Sequence, residues 1–443
     1  MSTVLLTRSG DLDLEDSKQH FRFTFDCPPG VGALRVTFGF EVWKVGSLLN
    51  MINLSLYDPQ GFRGAGHRHG QQHQVVLGEP GATPGYTAGP LPPGRWEVVV
   101  HTHMVLCPTP YTLEVEALER YPIPAPPLTV LPPHPPSAGP WLKGDFHCHS
   151  VHSDARWTTL ELAQAAQAEG LDFVALTDHN TRSGTSELQA QAPGLVVLQG
   201  EELTTYYGHA LVLGLGRMSD WTGLRPHSGV GQLAAQVAQA GGVLVVAHPL
   251  AVGDPVCTGC TWTYFDYRPE QASHFEVWNS QWSGRSNNES ALGLWYHFLA
   301  QGRRIVAAAG TDAHGMSYHP EHSFTFVRAE RDPKSILSAL KAGRSYLSRG
   351  LRLGLTLWSA QGEVQIGDTV APQPLEAHLQ GAELAAPLEL ISVVDGQRTT
   401  RTWSGEALKF EVRPSSWWNL ELRRAQDGML ELLTNPVWVE RNL

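Results

Sequence analysis

The sequence predicts an α/β protein in three parts, with a parallel, barrel-like sheet between two β-rich, sandwich-like parts. Three observations predict this arrangement. Alternating apolar segments bounded by turn residues fill residues 18–118, apolar runs alternate with helical stretches over 142–350, and β-type alternation returns after 351. With 443 residues, the chain is also too long for one ordinary core.

The N-terminal part, residues 1–120, is expected to be a β-sandwich. Turn clusters such as Pro80-Gly81 and Pro93-Gly94 separate its strands. The predicted strands are 20–25, 33–40, 53–57, 95–100 and 111–117. Residues 121–141 are so rich in proline that neither a helix nor a sheet ladder can form, which indicates an extended linker.

The middle part, residues 142–350, alternates strands with helices, and this alternation implies a parallel sheet, open or closed. The predicted strands are 173–177, 195–199, 243–247, 275–279 and 304–309. The predicted helices end at glycine or begin with a capping aspartate and a proline, and they cover 159–169, 231–240 and 333–343. Residues 351–443 are predicted to be β-rich.

Composition excludes several classes of partner. The net charge is −11 and no run of lysine and arginine occurs, which argues against nucleic-acid polymers and anionic membranes as partners. No segment is long and apolar enough to span a membrane, and the N-terminus lacks a signal-peptide core, so a cytoplasmic protein is expected. The sequence does not indicate an oligomeric state.

Five cysteines are present. Cys257 and Cys260 form a lone CxxC pair, and without a second pair a structural zinc site is disfavoured. A redox pair in a loop or two incidental thiols remain as interpretations.

Potential metal ligands lie close to the apolar runs of the middle part. Six imidazoles and three carboxylates make up this set: His147, His149, Asp154, His179, Glu202, His209, His248, Asp312 and His314. Ionisable groups at the ends of buried parallel strands are typical of an active site at the C-terminal face of a barrel. Their number predicts more than one divalent metal ion. Two other His-x-His pairs, at 67/69 and 101/103, are weaker signals, and the second is expected to lie on a surface or core face.

The motifs "HCHSVHSD", "LTDHN", "GEE", "AHP" and "GTDAH" together resemble the PHP (polymerase and histidinol phosphatase) domain, over about residues 143–350. The resemblance implies a distorted (β/α)7 barrel with two or three metal ions. The flanking segments "FEVWNS", "AGRSYLSRG" and "LLTNPVWVE" are similar to the CehA/McbA branch, which includes carbaryl-hydrolase-like enzymes and tends to carry β-rich flanking domains.

Carried over residue by residue, the resemblance implies three metal sites. The first is formed by His147, His149, Glu202 and Asp312, the second by Asp154, His179 and His314, and the third by His209 and His248 with Glu202 bridging. Asp154 stands where some members have histidine, which makes Mn²⁺ or Fe²⁺ plausible beside Zn²⁺. The family pattern selects Glu202 as the bridge, although its neighbour Glu201 is not excluded by sequence.

The predicted activity is hydrolysis of small phosphate mono- or diesters through a metal-bridging hydroxide. Three carboxylates supply about −3 against about +6 from three divalent ions, which leaves positive charge for a phosphoryl group. Glu202, Asp312 and His248 are the expected catalytic residues. Arg182, Asn279 and Arg285 are the expected substrate-binding residues, because arginine grips phosphate in bidentate fashion.

Two other functions remain open. The same metal ions could serve a carbamate, ester or amide hydrolase. A non-catalytic binding protein, in which the β-rich parts recognise a ligand, is less favoured because every expected ligand position is filled. A polymerase-associated role fits poorly, since the part after residue 350 is too short for a polymerase.

Overall fold

The computed structural model describes residues 2–124, 127–137 and 139–440. Residues 125, 126 and 138 of the predicted linker, and residues 1 and 441–443 of the two flanking parts, lie outside the described residues. The mixed, strand-rich α/β class predicted from the sequence is confirmed.

The first part contains ten strands, and nearly all of them belong to two four-stranded antiparallel sheets. The strands are β1 (Ser2–Leu12), β2 (Gln19–Cys27), β3 (Ala33–Phe40), β4 (Lys44–Val45), β5 (Leu48–Leu49), β6 (Met51–Asp58), β7 (Gly61–Gly66), β8 (Gln72–Gly78), β9 (Gly94–Met104) and β10 (Thr109–Leu118). The sheets run β1-β10-β3-β8 and β2-β9-β6-β7, while β4 and β5 form a separate hairpin.

The two sheets face each other across one apolar core. Phe38 of β3 and Val115 of β10 contribute from the first sheet, and Leu56 of β6 and Trp96 of β9 contribute from the second. Side chains alternate between the faces of a strand, so the apolar alternation read from the sequence buries one face of each sheet. The two sheets therefore pack face to face as two layers.

The middle part contains nine strands, five α-helices and a short 3-10 helix at Pro269–Gln271. The strands are β11 (Leu142–Cys148), β12 (Phe173–Leu176), β13 (Val196–Thr204), β14 (His209–Leu213), β15 (Val243–Val246), β16 (His274–Asn279), β17 (Val306–Gly310), β18 (Phe324–Val327) and β19 (Ser345–Ser348). The helices are α1 (Thr159–Ala168), α2 (Thr185–Gln191), α3 (Val230–Gln239), α4 (Asn288–Ala300) and α5 (Pro333–Lys341).

The sheet of the middle part is curled and mixed, which differs from the parallel sheet predicted. From β11 to β17 the strands are neighbours in sequence order, and β11–β12–β13 and β15–β16–β17 are parallel. In contrast, β14 pairs antiparallel with both β13 and β15, because the short connection "TYYG" between β13 and β14 permits only a hairpin-like return. A bridge between Cys148 and Ala313 brings the two ends of the curl together.

The last part continues this sheet and adds a second, small one. Its strands are β20 (Leu355–Ser359), β21 (Gly362–Val364), β22 (Thr369–Val370), β23 (Leu375–Leu379), β24 (Leu388–Val394), β25 (Gln397–Trp403), β26 (Leu408–Val412), β27 (Trp417–Arg424), β28 (Leu430–Thr434) and β29 (Val437–Val439). β28 pairs with β19, and β27, β24 and β25 follow. The order β21-β20-β23-β26 forms the other sheet.

Among the helices of the described ranges, none is both long enough and apolar enough to cross a lipid bilayer.

Candidate metal centre

The curled sheet brings the predicted ligands to one edge. His147 lies at the end of β11 and His149 directly after it, while His248 and Asp312 follow the ends of β15 and β17. His209 is the first residue of β14, before its apolar run. Because β14 runs in the opposite direction to its neighbours, its beginning meets the same edge as their ends.

All nine predicted ligands gather in three groups, and within each group the ligand atoms lie within 4.8 Å of one another. The groups are His147, His149, Glu202 and Asp312; His149, Asp154, His179 and His314; and Glu202, His209 and His248. The first and third groups match the sets that the resemblance implies. The second contains His149 in addition to the three expected residues, so this imidazole stands between two groups.

Glu202 connects the groups through both of its carboxylate oxygens. Its Oε1 lies 3.0 Å from His209 Nδ1 and 3.0 Å from His248 Nε2. Its Oε2 lies 2.9 Å from His179 Nδ1 and 3.3 Å from His147 Nε2. The Glu202 side chain is buried, so its negative charge lies among the imidazole rings and away from solvent.

Buried ligand atoms without a hydrogen-bond partner test whether metal ions fit here. Five such atoms belong to the predicted ligands, and although some lie close to other ligand atoms (Glu202 Oε2 is 2.9 Å from His179 Nδ1), none makes a hydrogen bond of good geometry: His147 Nε2, His149 Nδ1, Asp154 Oδ1, Glu202 Oε2 and His209 Nε2. A buried polar atom without a partner carries a large desolvation cost, and native proteins rarely leave one in this state. Nitrogen and carboxylate oxygen are the donors that Zn²⁺, Mn²⁺ and Fe²⁺ accept. The residues therefore fit divalent metal ions.

The electrostatics of the cluster keep its carboxylates ionised. Burial alone raises the pKa of the Glu202 carboxyl, but the imidazoles of His147, His179 and His209 outweigh burial and hold this pKa well below its usual range. At Asp154 and Asp312, too, burial raises the pKa of the carboxyl and nearby imidazoles lower it. The imidazoles outweigh burial, so both pKa values lie well below the usual range. An ionised carboxylate is the form that binds a cation.

The imidazoles fall into two kinds. Burial and the neighbouring rings of His314 and His179 lower the pKa of His149 to about 4, which favours its neutral, ligating form. At His314, Asp154 outweighs burial and raises the pKa to about 9. A cation at this position would replace the proton that His314 otherwise holds.

Three further carboxylates, which the sequence did not single out, orient the ligands. Glu276 in β16 lies 2.9 Å from His147 Nδ1 and accepts a hydrogen bond of 2.9 Å from the His248 backbone N–H. Asp145 accepts from the backbone N–H of His147 and from Thr311, which ties β11 to the segment after β17. For Glu276 the signal in the sequence is a lone acidic residue inside the apolar run "FEVWN", whereas the segment around Asp145, "KGDFH", carries no such signal.

The third of these, Asp178, shapes the turn that carries Asp154. It accepts hydrogen bonds from the backbone N–H of Ser150, from the Ser150 hydroxyl and from the Ser153 hydroxyl, at 2.6–2.7 Å. Buried, fully bonded carboxylates of this kind fix ring and loop orientation behind a metal site.

Two of the predicted ligands have a backbone conformation that side chains rarely adopt. The φ angle is 25° at His248 and 51° at Asp312. Such positions cost about 1–3 kcal/mol and cluster at functional sites. Both residues lie just past a strand, where the left-handed turn redirects the side chain toward the cluster.

The N-terminal sandwich covers one side of the ligand cluster. A cavity of about 320 Å³ opens onto the cluster, and His67, His69 and His103 line it together with the ligands. The centroid of the His67 ring lies 4.5 Å from that of the His179 ring and 4.9 Å from that of the His103 ring. The sequence marked His67, His69 and His103 only as members of two weak His-x-His pairs, and His103 was expected on a surface or core face. Their place beside the ligands depends on contacts with a distant segment of the chain, such as that between His67 and His179. His101, in contrast, is buried and bonds Ser55 Oγ at 2.7 Å, as expected for a core position.

The structure does not bring the three expected substrate-binding residues to this cavity. Arg182 is half-buried beside Glu201, with 3.4 Å between Nη2 and Oε1, and it lines a different cavity. Asn279 is buried behind the cluster, where its Oδ1 accepts from Ser286. Arg285 is exposed. Glu201 points away from the ligand groups, since neighbouring residues of β13 face opposite sides.

Cys257 and Cys260 are joined by a disulfide at the mouth of the cavity. The carbonyl of Cys260 lies 3.3 Å from His248 Nδ1. The CxxC segment therefore adjoins the cluster, a position that its sequence did not indicate.

Comparison with known proteins gives short or distant similarities. No family model matches the chain. A 5'-3' exoribonuclease of Haemophilus influenzae is 38% identical over 65 residues, which are 14% of this chain and 24% of that protein. An uncharacterized protein of Methanocaldococcus jannaschii is 28% identical over 140 residues, which are 28% of this chain and 76% of that protein. The chain thus matches about a quarter of the length of the exoribonuclease, and a match of this length does not establish the same activity for this chain.

Solved structures with some similarity include two phosphoesterase-like proteins and an amidohydrolase. A two-domain protein of Bacteroides vulgatus with a PHP-like metal-dependent phosphoesterase part has a TM-score of 0.37 and 16% identity, covering 71% of this chain and all of that one. A Bifidobacterium adolescentis protein described as a metal-dependent phosphoesterase has a TM-score of 0.28, with 18% identity over 41% of this chain and 90% of its own. A Chromobacterium violaceum amidohydrolase has a TM-score of 0.28, with 17% identity over 39% and 87%. At these TM-scores, none establishes the fold or activity of this chain.

Proposed function

We propose that this chain is a metal-dependent hydrolase of the PHP type, in the CehA/McbA branch, that hydrolyses small phosphate mono- or diesters. One observation carries the proposal: nine ligand side chains converge in three groups joined by Glu202, and five of their buried atoms lack any other partner. A cluster of this composition fits two or three divalent ions of manganese, iron or zinc.

The residues have distinct tasks in this proposal. Glu202 bridges the groups, Asp312 and His248 belong to the first and third group respectively, and Glu276 fixes the orientation of His147. When bound, the ions lower the pKa of coordinated water toward neutrality and neutralise charge on the phosphoryl oxygens. The buried, low-pKa carboxylates hold the cations, while neutral imidazoles such as His149 complete the coordination.

Two observations support a small phosphoester. The cavity above the cluster is only about 320 Å³, at the low end for ligand sites. The 65-residue similarity to an exoribonuclease is to an enzyme that cleaves phosphodiester bonds. With a net charge of −11 and no basic run, a nucleic-acid polymer is not the expected substrate.

The test is hydrolysis by protein reconstituted separately with Mn²⁺, Fe²⁺ and Zn²⁺. The substrates are a p-nitrophenyl phosphodiester, a phosphomonoester and a 1-naphthyl carbamate, with Asp312→Ala as the matched blank. We expect phosphoester turnover that falls at least about 100-fold in the variant, because one metal group loses its carboxylate. Carbamate turnover without phosphoester turnover would refute the proposal.

A carbamate or ester hydrolase is the second candidate, and one observation favours it. Among the described residues that line the cavity, none is arginine or lysine. A phosphate dianion would therefore depend on the metal ions for its counter-charge, whereas a neutral carbamate would not.

A further inference from the structure

Apart from the metal ligands and their neighbouring histidines, the lining of the 320 Å³ cavity is largely apolar. This apolar part, here called the wall, comes from two distant segments of the chain. The hairpin β4–β5 and the strand ends beside it contribute one side, and the loop after β15 contributes the other. Its residues are Leu48, Leu49, Met51, Met104, Pro255 and Val256. Without the N-terminal sandwich, the metal cluster would open directly to solvent on this side.

The two sides of the wall are fastened to each other. Lys18 Nζ lies 2.6 Å from Asp254 Oδ2, and the Thr258 hydroxyl donates to the backbone carbonyl of His103 over 3.2 Å. These contacts tie the loop that carries Pro255 and Val256 to the sandwich. The wall is thus a built part of the cavity and does not depend on one loop alone.

Apolar side chains also continue outward from the cavity. Leu49 is 40% exposed and Val256 is 50% exposed, and both also line the cavity. Exposed apolar groups that converge on a cavity mark a ligand-contact surface more often than scattered ones do. Beyond the metal ligands and their neighbouring histidines, the polar side chains in the lining are those of Ser47, Thr258 and the cysteines.

We propose that this wall binds a compact apolar organic group of the substrate, so that the preferred substrates are phosphate esters of small apolar alcohols. The inference rests on the proposed function for the phosphoryl end, which the metal cluster holds. The organic end has no charged partner in the lining, so its affinity must come from apolar contact. A cavity of about 320 Å³ is at the low end for ligand sites, which suits a short alkyl or single-ring group.

Non-hydrolysable alkyl phosphonates, from methyl to hexyl, test this inference through binding alone. Calorimetric titration of the Mn²⁺-reconstituted full-length protein should give a Kd that falls by up to about fourfold for each added methylene, until the wall is covered. Butyl and hexyl phosphate are assayed for hydrolysis in parallel.

Two variants in the same hairpin provide the decisive comparison. Leu49→Asp places a charge on the wall, whereas Val45→Asp places it on a 60% exposed residue that does not line the cavity. We expect the Val45 variant to keep the chain-length dependence and the Leu49 variant to lose most of it. Both changes are at exposed positions, and circular dichroism confirms that both variants are folded.

The outcomes separate this inference from the proposed function. A Kd that is independent of chain length in the unaltered protein, equal slopes in the two variants, or no phosphonate binding would overturn the apolar wall. A steep dependence that only Leu49→Asp removes, without hydrolysis of any phosphate ester, would support the wall and refute the phosphoesterase. Hydrolysis with a flat series would leave the phosphoesterase standing and reject the wall.

Discussion

Glu202 is a member of two of the three ligand groups and contacts His179 of the remaining one. A buried carboxylate is costly unless it is paired, and here four imidazole nitrogens lie 2.9–3.3 Å from its two oxygens. Neutral imidazoles cannot supply a counter-charge, so either bound protons or bound cations must balance the carboxylate. Divalent cations, if bound here, would balance Glu202, Asp154 and Asp312 together.

Glu202→Gln and Glu201→Gln are a matched pair of adjacent isosteric changes. We expect Glu202→Gln to lose one or more metal ions per chain, because the change removes the shared negative charge. Glu201→Gln should keep the full metal content, since Glu201 bonds the Ser219 backbone and faces Arg182 instead. Plasma mass spectrometry of dialysed protein measures both, and equal metal content in the two variants would contradict the bridging role.

Glu276→Gln tests whether the hydrogen bond between Glu276 and His147 Nδ1 orients the His147 ring. The amide retains the shape of the side chain but not its charge, so the hydrogen bond to His147 Nδ1 weakens. We expect metal affinity to fall by about 10- to 100-fold while the protein stays folded. Competition with a fluorescent chelator measures the affinity; an unchanged value would show that Glu276 has no part in the site.

At this scale the sequence predicted the ligands but not their surroundings. The nine ligands were recognisable because most of them lie beside an apolar run and nearly all of them belong to the motifs that resemble the PHP domain. His67 and His103 were noted only as members of weak His-x-His pairs, and Glu276 was missed, because the place of all three beside the ligands depends on contacts between distant segments. The same limit applies to Arg182, whose motif position suggested the substrate, although the β13 residue Glu201 holds it on the other side of the sheet.

Among the elements, the bounds of the strands and helices that were predicted lie close to the observed ones, but strand direction was not predictable. Several elements of the middle part were not predicted at all, among them β14, β18, α2 and α4. The expected strand at 33–40 coincides with β3, and the helix expected at 159–169 coincides with α1 within one residue. Apolar periodicity gives the same signal for parallel and antiparallel strands. The reversal of β14 therefore became visible only in the structure, and this reversal is what brings His209 to the cluster.

Helix α1 offers an element-scale prediction. Thr158 caps its first turn, accepting from the Glu161 backbone while Glu161 bonds the Thr158 backbone in return. Thr158→Ala should lower the free energy of unfolding by about 1 kcal/mol and leave the metal content unchanged. Urea unfolding measures the change, with the exposed Gln164→Ala as control; equal midpoints for the two variants would refute the role of the cap.

For the whole molecule, the N-terminal sandwich and the middle part share a polar and aromatic interface. Arg22 Nη2 donates to Thr222 Oγ1 over 2.8 Å, and the Tyr57 hydroxyl donates to Asp220 over 2.9 Å. His20 is stacked on Tyr206 with 4.9 Å between ring centroids. These contacts hold the sandwich over the metal cluster, which explains why both parts line one cavity.

The interface should make stability sensitive to mild acid. Burial, followed by Arg225 and Arg22, lowers the pKa of His20 to about 4, and Asp220 opposes the shift only in part; His101 and Tyr206 also face the ring. Since the unfolded pKa is about 6.5, the unfolded chain takes up this proton first as pH falls. The stabilisation is therefore complete above pH 6.5 and is lost between about 6.5 and 4.

His20→Gln should flatten this pH dependence, whereas the exposed His297→Gln should not. Urea midpoints at pH 7.5 and pH 5 measure the difference for each protein. If both variants lose as much stability on acidification as the unaltered chain, His20 is not the sensitive group.

The central claim, a multinuclear metal centre at the edge of the curled sheet, is tested most directly by anomalous diffraction. Crystals of the Mn²⁺-, Fe²⁺- or Zn²⁺-loaded protein are measured above and below the absorption edge of the metal. We expect two or three anomalous peaks, each about 2.0–2.3 Å from the nitrogen and oxygen atoms of one ligand group, with Glu202 beside more than one peak. No peak at these groups, or a peak only elsewhere on the molecule, would contradict the account.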